Sequence, residues 1–260
     1  MPGPVIISGA TGGIGSAVAS TFVALGTPVV LLGRRQATLE ALARRLQVDA
    51  APGAWIETHE ADINDSRSVD ATAATIVGRH GAPGTLVHAA GDHPVRRLGE
   101  STDAEWLEAI QGKLLGAVRL MRAFEPSMRS AGRGSVVLVP GLFRSEPSPL
   151  FPIGSALNAA LGAVANPASR GLAPDGVRVN LVDPGPVSTA RWLQTCAELA
   201  EHSSSTAEEI DASARSGIPM GRLASPEDIA GMARFLSSDD ASYITGGSFV
   251  VDGGLSAGLV

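Results

Sequence analysis

Ser8-Gly9-Ala10-Thr11-Gly12-Gly13-Ile14-Gly15 is the stretch that decides how the rest of the chain reads. The apolar run Val5-Ile6-Ile7 leads into it, and a stretch rich in alanine and valine follows. A glycine-rich turn between a strand and a helix is the arrangement that cradles a dinucleotide pyrophosphate. Gly9 permits the tight turn, Gly13 lets backbone approach the phosphates, and Gly15 lets the new helix pack closely. Free N–H groups and the dipole of the helix start then face the anion. Ser8, Thr11 and Ile14 belong to the same turn and are expected at the cofactor.

Outward from the turn, short apolar runs alternate with helical stretches, the pattern of βαβ units and a parallel sheet. Strands are expected at 5–8, 29–33, 54–60, 85–89, 135–139, 177–182 and 248–251. Helices are expected at 13–25, 37–46, 66–78, 103–130, 153–172 and 225–236. The strands lack strict polar/apolar alternation, as strands covered on both faces do. Ser225-Pro-Glu-Asp-Ile is a well-formed helix start, with serine as cap and proline at the first helical position. The expected fold is one α/β domain over 1–260. It is a Rossmann-type, doubly wound, seven-stranded parallel sheet with helices on both faces. Residues 141–152, with three prolines, and the polar stretch 188–218 read as irregular.

A chain of 260 residues with 44% hydrophobic content supports one large core rather than two. Net charge of −6 and a pI near 5.4 exclude nucleic acid and anionic membranes as partners, since no basic stripe exists to neutralise phosphates. The lone Cys196 cannot form an internal disulfide and fits a reducing compartment. No basic leader precedes the first strand, and no apolar stretch approaches a membrane span. A cytoplasmic protein with a small-molecule substrate is expected. The five histidines and one cysteine show no metal-ligand spacing, and no Gly-x-Ser-x-Gly elbow of a hydrolase appears.

The second strand ends Leu32-Gly33-Arg34-Arg35, with no acid to hold the ribose 2′-hydroxyl of NAD. A guanidinium fork matches a 2′-phosphate in shape and charge, so NADP(H) is the expected cofactor, held by Arg34 and Arg35. The alternative is two solvated arginines at a helix start.

The turn at 8–15 and the tail Tyr243-Ile-Thr-Gly-Gly-Ser-Phe-Val-Val-Asp-Gly-Gly254 together resemble the short-chain dehydrogenase/reductase family, over nearly the whole chain. The resemblance implies further cofactor residues. Asp62 and Ile63 would cradle adenine, and Ala89-Ala90-Gly91 would form a wall where the family carries Asn-Ala-Gly. Pro184, Gly185, Val187 and Thr189 would fix the nicotinamide. It also implies a substrate lid at 188–218 and a homo-oligomer, dimer or tetramer. Asn166-Pro167 falls in the helix that the family buries in its dimer. Proline there removes a backbone hydrogen bond, which should kink or end the helix.

Members of the family reduce carbonyls with a Tyr-x-x-x-Lys pair, a serine upstream and an asparagine on an earlier helix. The spacing from Asn158 to Asn180 matches the family's spacing from its lysine, which puts Gly154 in the tyrosine slot. Gly141 then takes the serine slot, and Trp106-Leu-Glu-Ala-Ile-Gln-Gly-Lys-Leu-Leu-Gly116 puts Lys113 in the asparagine slot. All four positions are substituted. The single tyrosine, Tyr243, and the single lysine, Lys113, cannot form the pair.

The proton for a reduced carbonyl must then come from elsewhere. Lys113 is the only lysine among 20 basic residues, and a buried lysine can shift its pKa and release a proton where arginine cannot. Asn158 could still hold the nicotinamide ribose. His93, just past the Ala-Ala-Gly wall, is an available acid or base. Lys113, His93 and Asn158 are therefore the candidate catalytic residues. Arg144 and Glu146 are lesser candidates reaching from 141–152. The structural alternatives are a Lys113 that neutralises a helix kink or pairs with a carboxylate, and a His93 that lies on the surface.

Three functional readings compete. The favoured one is an NADP(H)-dependent, ketoreductase-like oxidoreductase with an altered site, acting on a small-molecule carbonyl of specialised-metabolite type. The others are a non-redox enzyme on the same fold, performing cyclisation, dehydration or isomerisation, and a catalytically silent NADP(H)-binding partner.

Overall fold

The computed structural model describes residues 3–257. Seven strands form one sheet: β1 (Val5–Ser8), β2 (Val29–Gly33), β3 (Ile56–Glu60), β4 (Thr85–His88), β5 (Gly134–Leu138), β6 (Val177–Pro184) and β7 (Ser248–Val251). Their order is β3-β2-β1-β4-β5-β6-β7, and every pairing is parallel. The helices are α1 (Gly13–Val23), α2 (Gln36–Gln47), α3 (Ser66–His80), α4 (Asp103–Ala109), α5 (Gly116–Ser130), α6 (Pro152–Leu172), α7 (Ala190–Ala200), α8 (Ala207–Gly217) and α9 (Pro226–Ser237).

Successive strand residues enter two different cores. Val5, Ile7, Val29, Leu31 and Val87 pack with α1, α2 and α9 on one face. Ile6, Val30, Leu32, Leu86 and Leu138 pack with α3, α5 and α6 on the other. Both sets are apolar, so the period of two cannot show in the sequence. The winding direction reverses between β1 and β4, and ligands of such sheets sit at the carboxyl ends of the strands there.

Ser225 caps α9 as expected, accepting from Asp228 N–H while the Asp228 carboxylate accepts from Ser225 N–H. Three expectations are corrected. The helix expected at 103–130 is interrupted by a π-helical turn, Ile110–Leu115, between α4 and α5. Residues 188–218 are not irregular, because they form α7 and α8. Thr189 caps α7, and a Thr206-x-x-Glu209 capping box starts α8. Their apolar faces were faint because α7 buries only Cys196 fully and α8 buries nothing fully. Finally, Pro167 does not end α6, which runs on to Leu172. Leu161, Ala165 and Leu172 hold it to the core across the missing hydrogen bond. No helix among the described residues is long and apolar enough to cross a membrane.

Candidate active site

The strand ends, the π turn and α7 surround a cleft of about 880 Å³, within the size range of small-molecule sites. Gly9, Thr11, Gly13 and Ile14 line its floor. Gly9 adopts φ +73°, which a side chain would strain, and a Cβ there would lie 2.6 Å from Ala89 O. Ala89, Ala90, Gly91 and Ile63 line one side, and Pro184, Gly185, Val187 and Thr189 the other. Arg34 stands at the rim, exposed, with no ion-pair partner among the described residues.

Four expected cofactor residues do not line the cleft. Ser8 is fully buried, and its Oγ lies 2.7 Å from His88 Nδ1. Gly15 is buried, where a Cβ would strike the Gly9 carbonyl, so it serves the packing of α1 on the turn. Arg35 occupies the N-cap position of α2. Asp62 folds onto its own loop, accepting from Asn64 N–H at 3.0 Å and donating its N–H to Ser68 Oγ. Asn64 lines the cleft instead.

The π turn presents Lys113 to the cleft. Lys113 is 6% exposed, and its Nζ donates to the Pro140 carbonyl at 2.8 Å. No carboxylate lies within ion-pair distance of it among the described residues, so the structural alternative of a direct ion pair is not what the site shows. Burial pulls its ammonium pKa down to about 8, against the pull of Asp92 and Asp183 and with help from Arg191. The wide turn also aims the Lys113 carbonyl at the ring of His88, whose Nε2 lies 3.1 Å away. Burial drops the His88 pKa to about 4, so its ring is neutral at neutral pH. Because a carbonyl only accepts, Nε2 carries the proton, and Nδ1 accepts from Ser8 Oγ–H. This chain of bonds fixes the position of Lys113. π turns of this kind recur at functional sites.

His93 does not lie on the surface. Its ring sits over Gly154, where a Cβ would come within 2.5 Å of His93 Cε1. The imidazole therefore fills the space beside Gly154, the position expected to stand in the tyrosine slot. Phe151 and Phe143 meet it edge-on at 5.9 and 6.4 Å, and these two rings stack on each other at 4.2 Å. Burial and then the Lys113 ammonium push the His93 pKa down to about 3. Its Nδ1 is buried without a hydrogen-bond partner.

Gly141, expected in the serine slot, has φ +120°, a conformation that L side chains rarely adopt. Its carbonyl accepts from Asn158 Nδ2 at 3.2 Å. Asn158 is 1% exposed and lines the cleft, and its Oδ1 is buried with no partner. Tyr243 is fully exposed and lies outside the cleft.

Several residues went unread in the sequence. Arg191, in α7, bonds Asp92 at 2.7 Å, Glu198 at 2.9 Å and the His93 carbonyl at 2.5 Å. Glu198 also accepts from Val95 N–H at 3.0 Å. These contacts hold α7 against the 92–95 loop, over the cleft. Arg144 turns away from the cleft and pairs with the fully buried Asp183 at 2.9 Å, and Glu146 does not line it either. An Arg-x-x-x-x-x-x-Glu spacing is common on exposed helices, so nothing in the sequence marked Arg191 and Glu198.

A parallel, doubly wound sheet with a glycine-rich turn at its switch point defines a dinucleotide-binding type of α/β protein. The chain belongs to the short-chain dehydrogenase/reductase family: the family model described as Enoyl-(Acyl carrier protein) reductase matches residues 9–256. Human Dehydrogenase/reductase SDR family member 4 is 29% identical over 259 residues, covering 98% of this chain and 87% of the human one. Among solved structures, L-sorbose reductase from Gluconobacter frateurii, complexed with NADPH and L-sorbose, superposes with a TM-score of 0.91 at 29% identity. That match covers 99% of this chain and 98% of the other. An NADPH-bound short chain oxidoreductase from Pseudomonas aeruginosa PAO1, described as containing an atypical catalytic center, gives 0.88 at 30% identity. It likewise covers 99% and 98% of the two chains.

Proposed function

We propose that the chain is an NADP(H)-dependent, ketoreductase-like oxidoreductase of a small-molecule carbonyl, with Lys113 in the role that tyrosine plays elsewhere in the family. The observation that carries this reading is a lysine amine buried in the cleft with a carbonyl as its one partner. The cytoplasm, a homo-oligomeric state and a substrate of specialised-metabolite type belong to the same proposal.

The residues present fit a dinucleotide. The turn at Gly9–Gly13 offers backbone N–H groups to a pyrophosphate. Arg34, unpaired at the rim, suits a 2′-phosphate. The orphaned Asn158 Oδ1 is a buried acceptor in need of a donor, which a ribose hydroxyl supplies. NADP(H), when bound, supplies the hydride. The two NADPH-bound relatives support this choice.

Lys113 holds the proton at Nζ. A pKa of about 8 keeps it charged at neutral pH yet able to let the proton go to a developing alkoxide. His93, neutral with a pKa of about 3, is not the acid and instead shapes the pocket wall. The α7 contacts through Arg191 hold that helix over the same space. His93 occupies the space that Gly154 would otherwise open to a non-redox substrate.

The cofactor assignment is tested by fluorescence titration. NADPH should bind more tightly than NADH. Arg34→Asp should weaken NADPH by about tenfold or more, since hydrogen bonds to charged groups contribute about 1.5–3 kcal/mol. Equal dissociation constants in the unmodified protein would refute it.

A further inference from the structure

We infer that Lys113 is also an imine-forming lysine, whose amine condenses with the carbonyl carbon of an aryl aldehyde or aryl ketone held in this cleft. The inference rests on reading the cleft as a carbonyl site, but not on the cofactor.

Two independent features carry it. The first is the setting of the amine. Lys113 lines the cleft, is nearly buried, and among the described residues bonds only the Pro140 carbonyl through its Nζ. One hydrogen bond leaves the rest of the ammonium turned to the cavity. The charged and titratable groups around it are Asp92 and His93 from the 91–95 loop, Asp183 from β6, Arg191 from α7 and His88 from β4, with Glu105 and Glu108 of α4 lining the same cleft. Desolvation and a cationic neighbour are the two devices that make a lysine nucleophilic at ordinary pH. Burial and Arg191 supply both.

The second feature is the wall. Phe143 and Phe151 stack at 4.2 Å with 20° between their planes, and His93 stands edge-on to both. Trp192 and Leu142 line the same cleft. Aromatic faces and edges in this arrangement favour a planar aromatic body by stacking and edge contacts. The acidic residues Glu105 and Glu108 of α4 also line the cleft, so a neutral carbonyl compound suits it better than a carboxylate.

The chemistry balances without an oxidant or reductant. The Nζ lone pair forms a C–N bond to the carbonyl carbon, and the carbonyl π bond breaks onto oxygen, which takes up a proton. The carbinolamine then loses the nitrogen-bound hydrogen and the hydroxyl as water, leaving a C=N bond. Proton donation and condensation use opposite states of one group. Below pH of about 8 the ammonium donates, and above it the free amine attacks.

The test is reductive trapping without NADPH. The full-length protein is incubated with 2-naphthaldehyde and sodium cyanoborohydride, digested, and mapped by mass spectrometry. With one lysine in the chain, Lys113 and the N-terminal amine are the only amines that can be labelled. A naphthylmethyl group should appear on the Lys113 peptide, with a rate that climbs through pH of about 8. At pH 7 it should form more than about tenfold faster than in denatured protein, where lysine has its ordinary pKa of about 10.4. Propanal should label Lys113 much more slowly. Labelling confined to the N-terminal amine, or equal rates in native and denatured protein, would overturn the inference. Equal rates with propanal would overturn the choice of an aryl compound. NADPH binding is measured separately, so an adduct without NADPH binding sinks only the reductase reading, and NADPH binding without an adduct sinks only this one.

Discussion

Lys113→Met should lower carbonyl turnover by about 10²-fold or more while leaving NADPH affinity nearly unchanged, because a lost general acid costs about 10²–10⁴-fold. Met keeps the length and apolar stem of Lys and removes only the ammonium. Lys113→Arg should be almost as damaging, since a guanidinium stabilises an alkoxide but does not release its proton. In the parent protein, turnover should fall as pH rises through about 8, where the ammonium empties. The same group gives a stability signature. Its folded pKa, about 8, lies below its unfolded value of about 10.4, so between those values the unfolded chain binds more protons and folding stability rises with pH. The burial penalty is fully present below pH of about 8. The Met variant lacks that penalty, so its thermal stability relative to the parent should decline as pH is raised from about 8 to about 10.4. Thermal melts of parent and variant across that window, beside single-turnover rates, separate proton delivery from structure. A folded, cofactor-binding Lys113→Met protein that turns over at the parent rate would rule out a catalytic lysine.

Gly154→Tyr, which restores the family's residue, should fail to give a conventional ketoreductase and should destabilise the fold. The added side chain enters space held by His93, whose ring atoms already crowd the position a Cβ would take. Overpacking a well-filled site costs about 1–3 kcal/mol. Nor would the phenol find the family's lysine four residues on, because Asn158 there is neutral and already donates to the Gly141 carbonyl; the nearby Lys113 ammonium donates to the Pro140 carbonyl instead. The double variant Gly154→Tyr/His93→Ala should recover most of the lost stability, because the two changes share one cavity and couple. Thermal melts of the four proteins of this cycle check the packing claim. A large gain on generic ketones from Gly154→Tyr alone would show that the site is not built around Lys113.

Much of the fold was legible. Most strands left an apolar run, β3 with its Ile-Glu-Thr-His-Glu being the exception, and the turn at 8–15 marked the end of the sheet that carries the crevice. The π turn was not legible, because Ile110-Gln-Gly-Lys-Leu-Leu115 has ordinary helix-forming residues and the extra backbone room depends on the partner His88 offers across the sheet. Residues 188–218 were misread for a different reason. Helices with one buried residue or none leave little periodicity, and the signals present were the caps at Thr189 and Thr206.

The site divides along the same line. Counting residues from Asn180 was enough to assign Gly141, Gly154 and Asn158 to the serine, tyrosine and lysine slots as an expectation, because slot positions depend on spacing along the chain. Spacing also singled out Lys113. What lies in the vacated space depends on contacts between residues far apart in sequence, and only the tertiary structure decided it. It put the His93 ring, 61 residues away, onto Gly154. It turned Arg144 onto the buried Asp183 and away from the cleft, and it brought Arg191 from α7 to the 92–95 loop. Above all it set the state of the amine. Lys113 owes its pKa of about 8 to burial, and burial is a property of the packed fold that no single stretch of sequence contains.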